Sequence, residues 1–140
     1  GMAVVDEKWA QKNVEKEMGN KSFEDIKKEA QQTVENQLDK IVMEDTNQTN
    51  KVNFYTAMYH SMLAPNLYQD VDGRYRGMDL NIHQTNDFKY YTVFSLWATY
   101  RAAHPLYTII EQERTNDFIN TFLAKYDEGG IMPMWDLAAH

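Results

Sequence analysis

The stretch Asp70-Val71-Asp72-Gly73-Arg74-Tyr75-Arg76-Gly77-Met78-Asp79 lies between apolar helical patterns and is the most informative part of this chain. Its ten residues include three Asp, two Arg and two Gly, which is too polar and too regularly interrupted for a simple connection. The sequence around it predicts an irregular segment from Leu67 to Phe88. Loops of that length in compact domains are usually functional or disordered, and the aromatic residues here favour a functional loop.

Two kinds of structure could use these charged residues. Asp70-Val71-Asp72-Gly73 is similar to the opening of a calcium loop, but arginines follow where further oxygen ligands are needed. Guanidinium groups pair readily with carboxylates, so we expect a loop held by Asp–Arg pairs and by a glycine with positive φ. The predicted structural loop residues are Asp70, Asp72, Arg74, Arg76 and Asp79, with no metal site. A calcium-binding module is the weaker alternative.

The rest of the chain predicts an all-α fold of about five helices with one long irregular loop. Ser22 and Asp25 form a capping box before a stripe of apolar residues that recur every three or four positions. No alternating pattern typical of strands is found. We predict a single helical domain over residues 1–140. Its helices are expected at Asp6–Met18, Phe23–Ile41, Phe54 to near Pro65, Tyr90–Ala103 (ended by His104-Pro105) and Phe118–Tyr126 (closed by Gly129-Gly130).

Composition excludes several classes of function. The formal net charge is −7 and the pI is about 5.0, so no basic surface is expected for a nucleic acid. There is no cysteine, which excludes disulfides and thiolate zinc sites. No apolar run is long enough for a membrane span, and the N-terminus does not resemble a signal peptide. We therefore expect neither a nucleic-acid partner nor a membrane partner.

Few side chains are good candidates for chemistry. The aspartates at positions 70, 72, 79 and 87 are carboxylates of the type that glycosidases use in pairs. The four histidines, His60, His83, His104 and His140, have no metal-ligand spacing. Trp135 could stack on the apolar face of a sugar ring, whereas Trp97 is expected to pack in the core of its apolar helix.

Several ordered motifs accompany the central stretch. They are Asn53–His60, Ala64–Asn66, Tyr91–Tyr100, Arg101–Leu106, Tyr126–Gly130 and Met132–Ala138. Together they resemble the start of the catalytic domain of glycoside hydrolase family 92, the calcium-dependent, inverting α-mannosidases. The resemblance covers nearly the whole chain, weakly before Lys51 and closely after it. It implies that this chain is the first part of an (α/α)6 toroid, which in the family follows an N-terminal β-sandwich.

The resemblance also bears on individual residues. Trp135 matches a tryptophan of the family's mannose-binding site, and it is the one predicted substrate-binding residue. Ala98 stands where the family usually has an aspartate that contacts the sugar, and Ala139-His140 stands where it has Gly-Asn. The family's catalytic acid, catalytic base and calcium ligands lie in motifs beyond the matched segment. We therefore name no catalytic residue and no cofactor held by this chain, although the family uses calcium.

The expected function is that of a segment of a glycoside hydrolase similar to α-1,2-mannosidases, not catalytic alone. Whether the chain itself is an enzyme is left open. Its expected partners are an α-mannoside and a second copy of the chain, because its apolar stripes exceed what so few helices can cover. The alternative is a non-catalytic helical domain for self-association or glycan binding. The resemblance implies a periplasmic or secreted parent protein.

Overall fold

The computed structural model describes residues 2–137. Within that range, about half of the residues are helical and the remainder includes short strands. The six helices are Glu7–Met18 (α1), Phe23–Leu38 (α2), Gln48–Ser61 (α3), Leu96–Thr99 (α4), Ala103–Ile110 (α5) and Gln112–Gly129 (α6). The six strands are Asn66–Leu67 (β1), Arg74–Arg76 (β2), Ile82–Gln84 (β3), Tyr91–Thr92 (β4), Phe94–Ser95 (β5) and Trp135–Asp136 (β6).

The strands correct the prediction of an all-α chain, although helices do predominate. They form three antiparallel pairs, β1 with β4, β2 with β3, and β5 with β6. No strand in the described range exceeds three residues. Alternation of apolar and polar residues cannot be recognised over such short lengths, so the sequence pattern did not predict these strands.

The helices with clear local signals agree with prediction. The α2 capping box is present, because the Ser22 hydroxyl accepts from the Asp25 backbone N–H and the Asp25 carboxylate accepts from the Ser22 N–H. At the other end of the chain, α6 is capped by Gly130, whose φ of 75° is the left-handed conformation that ends many helices. Asn47 caps α3, which begins at Gln48, earlier than the apolar positions from Phe54 onward that predicted it.

The predicted helix over Tyr90–Ala103 is wrong. The segment contains β4, β5 and only one turn of helix, α4, because its aromatic and β-branched residues favour extended backbone. Between the two strands, Val93 has a φ of 65°, which turns the chain from pairing with β1 to pairing with β6. His104-Pro105 does not end a helix. It lies in the first turn of α5, where a proline costs no hydrogen bond.

The predicted irregular segment Leu67–Phe88 contains a hairpin. Strands β2 and β3 pair in the register Arg74↔Gln84, Tyr75↔His83 and Arg76↔Ile82. Gly73, immediately before β2, has a φ of 84°, and a Cβ there would lie 2.2 Å from the Thr85 carbonyl oxygen. Only glycine therefore allows the backbone just before β2 to lie so close to Thr85, the residue just after β3.

The described residues form two compact units. The first, here called the core unit, contains the residues up to Glu17 and those from Pro65 onward. Its apolar centre is an aromatic cluster in which Phe118 of α6 contacts the rings of Tyr91, Phe94 and Tyr107. The second, the helix-pair unit, runs from Met18 to Ala64 and pairs α2 with α3. The expectation of a single domain stays a prediction.

Candidate functional site

The sequence-predicted sugar platform lies on the last described strand. Strand β6 pairs with β5, so that Trp135 is opposite Ser95 and Asp136 is opposite Phe94. Successive strand residues face opposite sides, and here Trp135 is 66% exposed whereas Asp136 is 2% exposed. The arrangement leaves the indole available to a ligand and buries the neighbouring carboxylate.

Asp136 takes part in a buried ion pair. Its Oδ2 atom lies 2.6 Å from Nζ of Lys125 in α6, and it also accepts a hydrogen bond from the Thr92 hydroxyl at 3.2 Å. Lys125 is itself only 2% exposed. Burial lowers the pKa of the Lys125 ammonium, and the hydrogen bond and negative charge of Asp136 oppose that shift. The pair thus joins α6, β4 and β6 at one oxygen atom.

Glu128, one turn further along α6, organises a second polar cluster. Its carboxylate accepts hydrogen bonds from the hydroxyls of Tyr75 and Tyr90 and from the Met78 backbone N–H, at 2.9–3.2 Å. The two tyrosine rings stack with centroids 3.8 Å apart, and Lys125 Nζ lies 4.6 Å from the Tyr90 centroid. Burial is the main cause that raises the pKa of both tyrosines, followed by the effects of Glu128. Both phenols are therefore donors at neutral pH.

A cavity of about 330 Å³ lies beside these two clusters. Its lining includes Tyr90, Thr92, Lys125, Asp136 and Gly77. A Cβ at Gly77 would lie 2.7–2.8 Å from the His83 ring and the Glu128 carboxylate. Gly77 therefore lets the hairpin approach α6 this closely without displacing the His83 and Glu128 side chains.

The five predicted loop residues do not form one cluster. Asp72 pairs with Arg74, with Oδ2 and Nε 2.6 Å apart, and the guanidinium lies 4.2 Å from the Trp9 ring centroid. By contrast, Asp70 is 2% exposed and contacts no arginine side chain in the described part of the chain. Its Oδ1 atom accepts from the Asn13 amide and the Val4 backbone N–H.

The other two members of this set lie at the end of the hairpin. Arg76 donates to the Leu80 carbonyl oxygen. Asp79 accepts from the backbone and side chain of Asn81 and contacts the His83 ring at 2.9 Å. These hydrogen bonds, that of His83 first, lower the pKa of Asp79 to about 2. Asp–Arg pairing thus occurs at one position, and the other contacts are local turn interactions.

Trp97, which was expected in the core of an apolar helix, and Ala98, which departs from the family's aspartate, are both exposed. Trp97 is 68% exposed, so the prediction that it packs in the core is wrong. Ala98 is also exposed. Both lie in α4, whose first residue, Leu96, donates its backbone N–H to the carbonyl oxygen of Met134, immediately before Trp135. Ala139 and His140 lie outside the described residues.

The remaining candidates supply no metal centre among residues 2–137. No group of three or more His, Cys, Asp or Glu side chains in that range could hold an ion. Asp87 is exposed and donates its backbone N–H to the Thr85 hydroxyl. His104 is partly buried against Tyr107 and Phe118, and burial lowers its pKa. The donor set therefore does not fit calcium, which takes six to eight oxygen ligands, and no calcium step is assigned to these residues.

The sequence missed Lys125, Glu128, Tyr90 and Thr92. One signal for Lys125 was available, because it stands four residues after Thr121 and seven after Phe118 in α6, both of them buried. A charged residue in phase with the apolar face of a helix indicates a buried partner. The partner itself could not be inferred, since it lies on a strand that the sequence did not predict.

Comparison with known proteins identifies the family. Residues 9–140 match the glycosyl hydrolase family 92 catalytic domain. A family 92 alpha-mannosidase from Bacteroides thetaiotaomicron is 37% identical with a TM-score of 0.90, covering 97% of this chain and 18% of that chain. The same alpha-mannosidase in complex with mannoimidazole gives 36% identity and a TM-score of 0.91, covering 99% of this chain and 18% of that chain.

A third solved structure is more distant. It is a family 92 glycosyl hydrolase that is 20% identical with a TM-score of 0.80, covering 99% of this chain and 20% of that chain, and it supports the fold alone. A search of curated proteins found no match. This chain spans about a fifth of the length of the solved relatives that it matches. Because the family match extends over nearly all of the sequence, this chain belongs to glycoside hydrolase family 92.

Proposed function

We propose that this chain is the first part of an α-mannosidase catalytic domain and supplies the aromatic platform of its sugar site. The observation that carries the proposal is Trp135, which is two-thirds exposed on a strand whose other residue is firmly buried. An exposed indole suits the apolar face of a pyranose ring. The chain itself provides binding surface, and the family's acid, base and calcium are supplied by the remainder of the domain.

The proposed architecture is the opening of an (α/α)6 toroid. Its support is the similarity to the Bacteroides thetaiotaomicron alpha-mannosidase. The match covers almost all of this chain but less than a fifth of that enzyme. On this proposal the chain alone does not hydrolyse α-mannosides such as α-1,2-linked ones. Incubation with mannobiose or an activated aryl mannoside, with and without calcium, tests it. Turnover that follows the purified chain would contradict it.

Sugar binding by Trp135 can be tested separately from hydrolysis. Mannose or mannoimidazole is titrated into the chain, into Trp135→Ala and into Trp97→Ala, whose indole is equally exposed. We expect the Trp135 variant to lose binding and the Trp97 variant to keep more of it. Equal affinities in all three proteins would exclude Trp135 as the platform.

The Ala98 departure gives a gain-of-function test of the same site. If position 98 faces the sugar, Ala98→Asp adds an acceptor for a sugar hydroxyl, which is worth about 1 kcal/mol or roughly fivefold in affinity. Ala98→Asn is the control for charge. Unchanged mannose affinity in Ala98→Asp, in a chain that does bind mannose, would show that this position does not contact the ligand.

The second candidate function is self-association without catalysis. Helix α6 presents Ile119, Leu123 and Tyr126 at intervals of four and three residues, each 51–52% exposed. Such a stripe suits a second copy of the chain. Light scattering over a concentration series tests the proposal, with Leu123→Lys expected to weaken the dimer and Asn120→Lys as control. A constant mass of 16.4 kDa would contradict it.

A further inference from the structure

The buried lysine of α6 requires an explanation beyond stability. Lys125 and Asp136 are each 2% exposed, and Lys125 shares the buried face of its helix with Phe118 and Thr121. Removing two charges from water is costly, and well-packed apolar residues of similar volume often stabilise a protein as much or more. An ion pair in this position therefore points to a role in specifying geometry.

The element that depends on the pair is strand β6. It has two residues, so few backbone hydrogen bonds hold it against β5. The Asp136 side chain compensates, since its Oδ2 atom receives the Lys125 ammonium at 2.6 Å and the Thr92 hydroxyl at 3.2 Å. Lys125 comes from α6 and Thr92 from β4, so two separate elements fix one carboxylate.

These supporting elements are themselves well anchored to each other. The Thr121 hydroxyl, one helical turn before Lys125, accepts from the Tyr91 backbone N–H and donates to the Lys89 carbonyl oxygen, both at 3.2 Å. Thr121 has no exposed surface. The lysine and the threonine that bind Asp136 therefore belong to one joined piece, and β6 is attached to that piece through its carboxylate.

The residue presented by this attachment is Trp135. Successive side chains of a strand point to opposite faces. When the Asp136 side chain is held on the buried face, the Trp135 indole is therefore held on the exposed face. We propose that Lys125 and Thr92 are positioning residues, which act through Asp136 to hold Trp135 in one orientation towards an α-mannoside. The inference rests on the proposed role of Trp135 as the sugar platform.

The experiment follows Trp135 itself. The chain has three tryptophans, so Trp9→Phe with Trp97→Phe leaves Trp135 as the sole tryptophan, whose emission is selected by excitation at wavelengths that tyrosine does not absorb. Lys125→Met and Thr92→Val are introduced into that background, with Lys28→Met, an exposed lysine of α2, as the control. Circular dichroism checks that each variant is folded. Time-resolved fluorescence anisotropy then measures the local motion of the Trp135 indole, and mannose titration measures affinity.

We expect Lys125→Met to increase the fast local motion of Trp135 and to weaken mannose binding by about tenfold, the value of a good aromatic contact. Thr92→Val should have a smaller effect in the same direction, and Lys28→Met none. A merely structural role would lower the melting temperature without changing the anisotropy of the folded protein. If Lys125→Met does not fold, Thr92→Val, which keeps the ion pair, decides the question.

Unchanged Trp135 motion in the folded variants would overturn the positioning role. The positioning role would also be overturned if Trp135 moved more in Lys125→Met but mannose affinity stayed the same, provided that Trp135→Ala abolishes mannose binding. The proposed function fails differently, because the background protein then binds no mannose at all. In that case the anisotropy still shows whether Lys125 and Thr92 fix the indole.

Discussion

Helices α2 and α6 are similar in length and both have an apolar stripe, yet they are stabilised in different ways. The 16 residues of α2 include no buried side chain, and Phe23 is 77% exposed. Its start is fixed locally by the capping box. The 18 residues of α6 bury Phe118, Thr121 and Lys125, and the Glu111 side chain makes no capping hydrogen bond. Local signals define α2, whereas tertiary contacts define α6.

That difference teaches where sequence periodicity is sufficient. An apolar stripe on a capped helix predicted the start of α2 to the residue, although the stripe is not buried within the described part of the chain. The same pattern predicted α6 only from Phe118, because Glu111, the residue before the helix, is not a preferred capping residue and residues 112–117 include no apolar side chain. Mutations should therefore act locally in α2 and cooperatively in α6.

The largest expected effect is in the buried ion pair. Asp136→Ala leaves the Lys125 ammonium buried without its carboxylate, and breaking such a pair typically costs about 3–5 kcal/mol. Glu29→Ala breaks the exposed Lys21–Glu29 pair of the helix-pair unit, whose N–O distance of 2.7 Å is close to the 2.6 Å of the buried pair but which is worth about 0–1 kcal/mol. Denaturant unfolding of both variants measures the contrast. Equal losses would show that burial does not separate the two pairs.

A smaller loss is expected where the hairpin approaches α6. Gly77→Ala places a methyl group 2.7–2.8 Å from His83 and Glu128, and such overpacking typically costs about 1–3 kcal/mol. Gly129→Ala is the matched control, since a Cβ there would lie 3.2 Å from its nearest neighbour, Met78 Cβ, which is a longer distance than at Gly77. The free energy of unfolding should fall more for Gly77→Ala. The reverse order would contradict the close approach of hairpin and helix.

The capping box should affect α2 by about 1 kcal/mol. Ser22→Ala removes the acceptor for the Asp25 N–H, and N-cap replacements of this kind cost that amount. We expect amide hydrogen exchange to accelerate in the first turns of α2 while α6 is unaffected. Thr33→Ala, in the middle of α2, is the control. Acceleration throughout both helices would show that α2 is not defined locally.

The smallest expected effect is a pH dependence in the β2–β3 hairpin. Because the pKa of Asp79 is lowered from its ordinary value of 3.8 to about 2, its ionised form favours the folded hairpin. That contribution is fully present above pH 3.8 and is lost as the pH falls towards 2. NMR titration of the Asp79 carboxyl group measures the midpoint, and Asp79→Asn removes it. A midpoint near 3.8 would show that the contacts to His83 and Asn81 do not hold in solution.

The fold and the site were predictable to different degrees. Helix existence followed from capping residues and periodicity, as at Ser22 and Gly130. Strands of two or three residues carry no periodic signal, so β4, β5 and the Tyr90–Ala103 segment were misassigned. Trp135 was predicted from a family motif, but the residues that hold its strand in place were not predicted. Lys125, Thr92 and Glu128 converge only after distant segments pair, and such convergence depends on tertiary structure that residue spacing does not record.

The left-handed backbone at Val93 has a consequence for which residues the chain can accept there. A β-branched residue at a φ of 65° is strained, and that conformation costs ordinary residues about 1–2 kcal/mol relative to glycine. In a library with every residue at position 93, selected for folded protein, the residues that tolerate positive φ should therefore be recovered most often. Glycine and asparagine should be recovered more often than alanine. An alanine-scanning survey would thus misjudge this position, because alanine removes the side chain and keeps the strain.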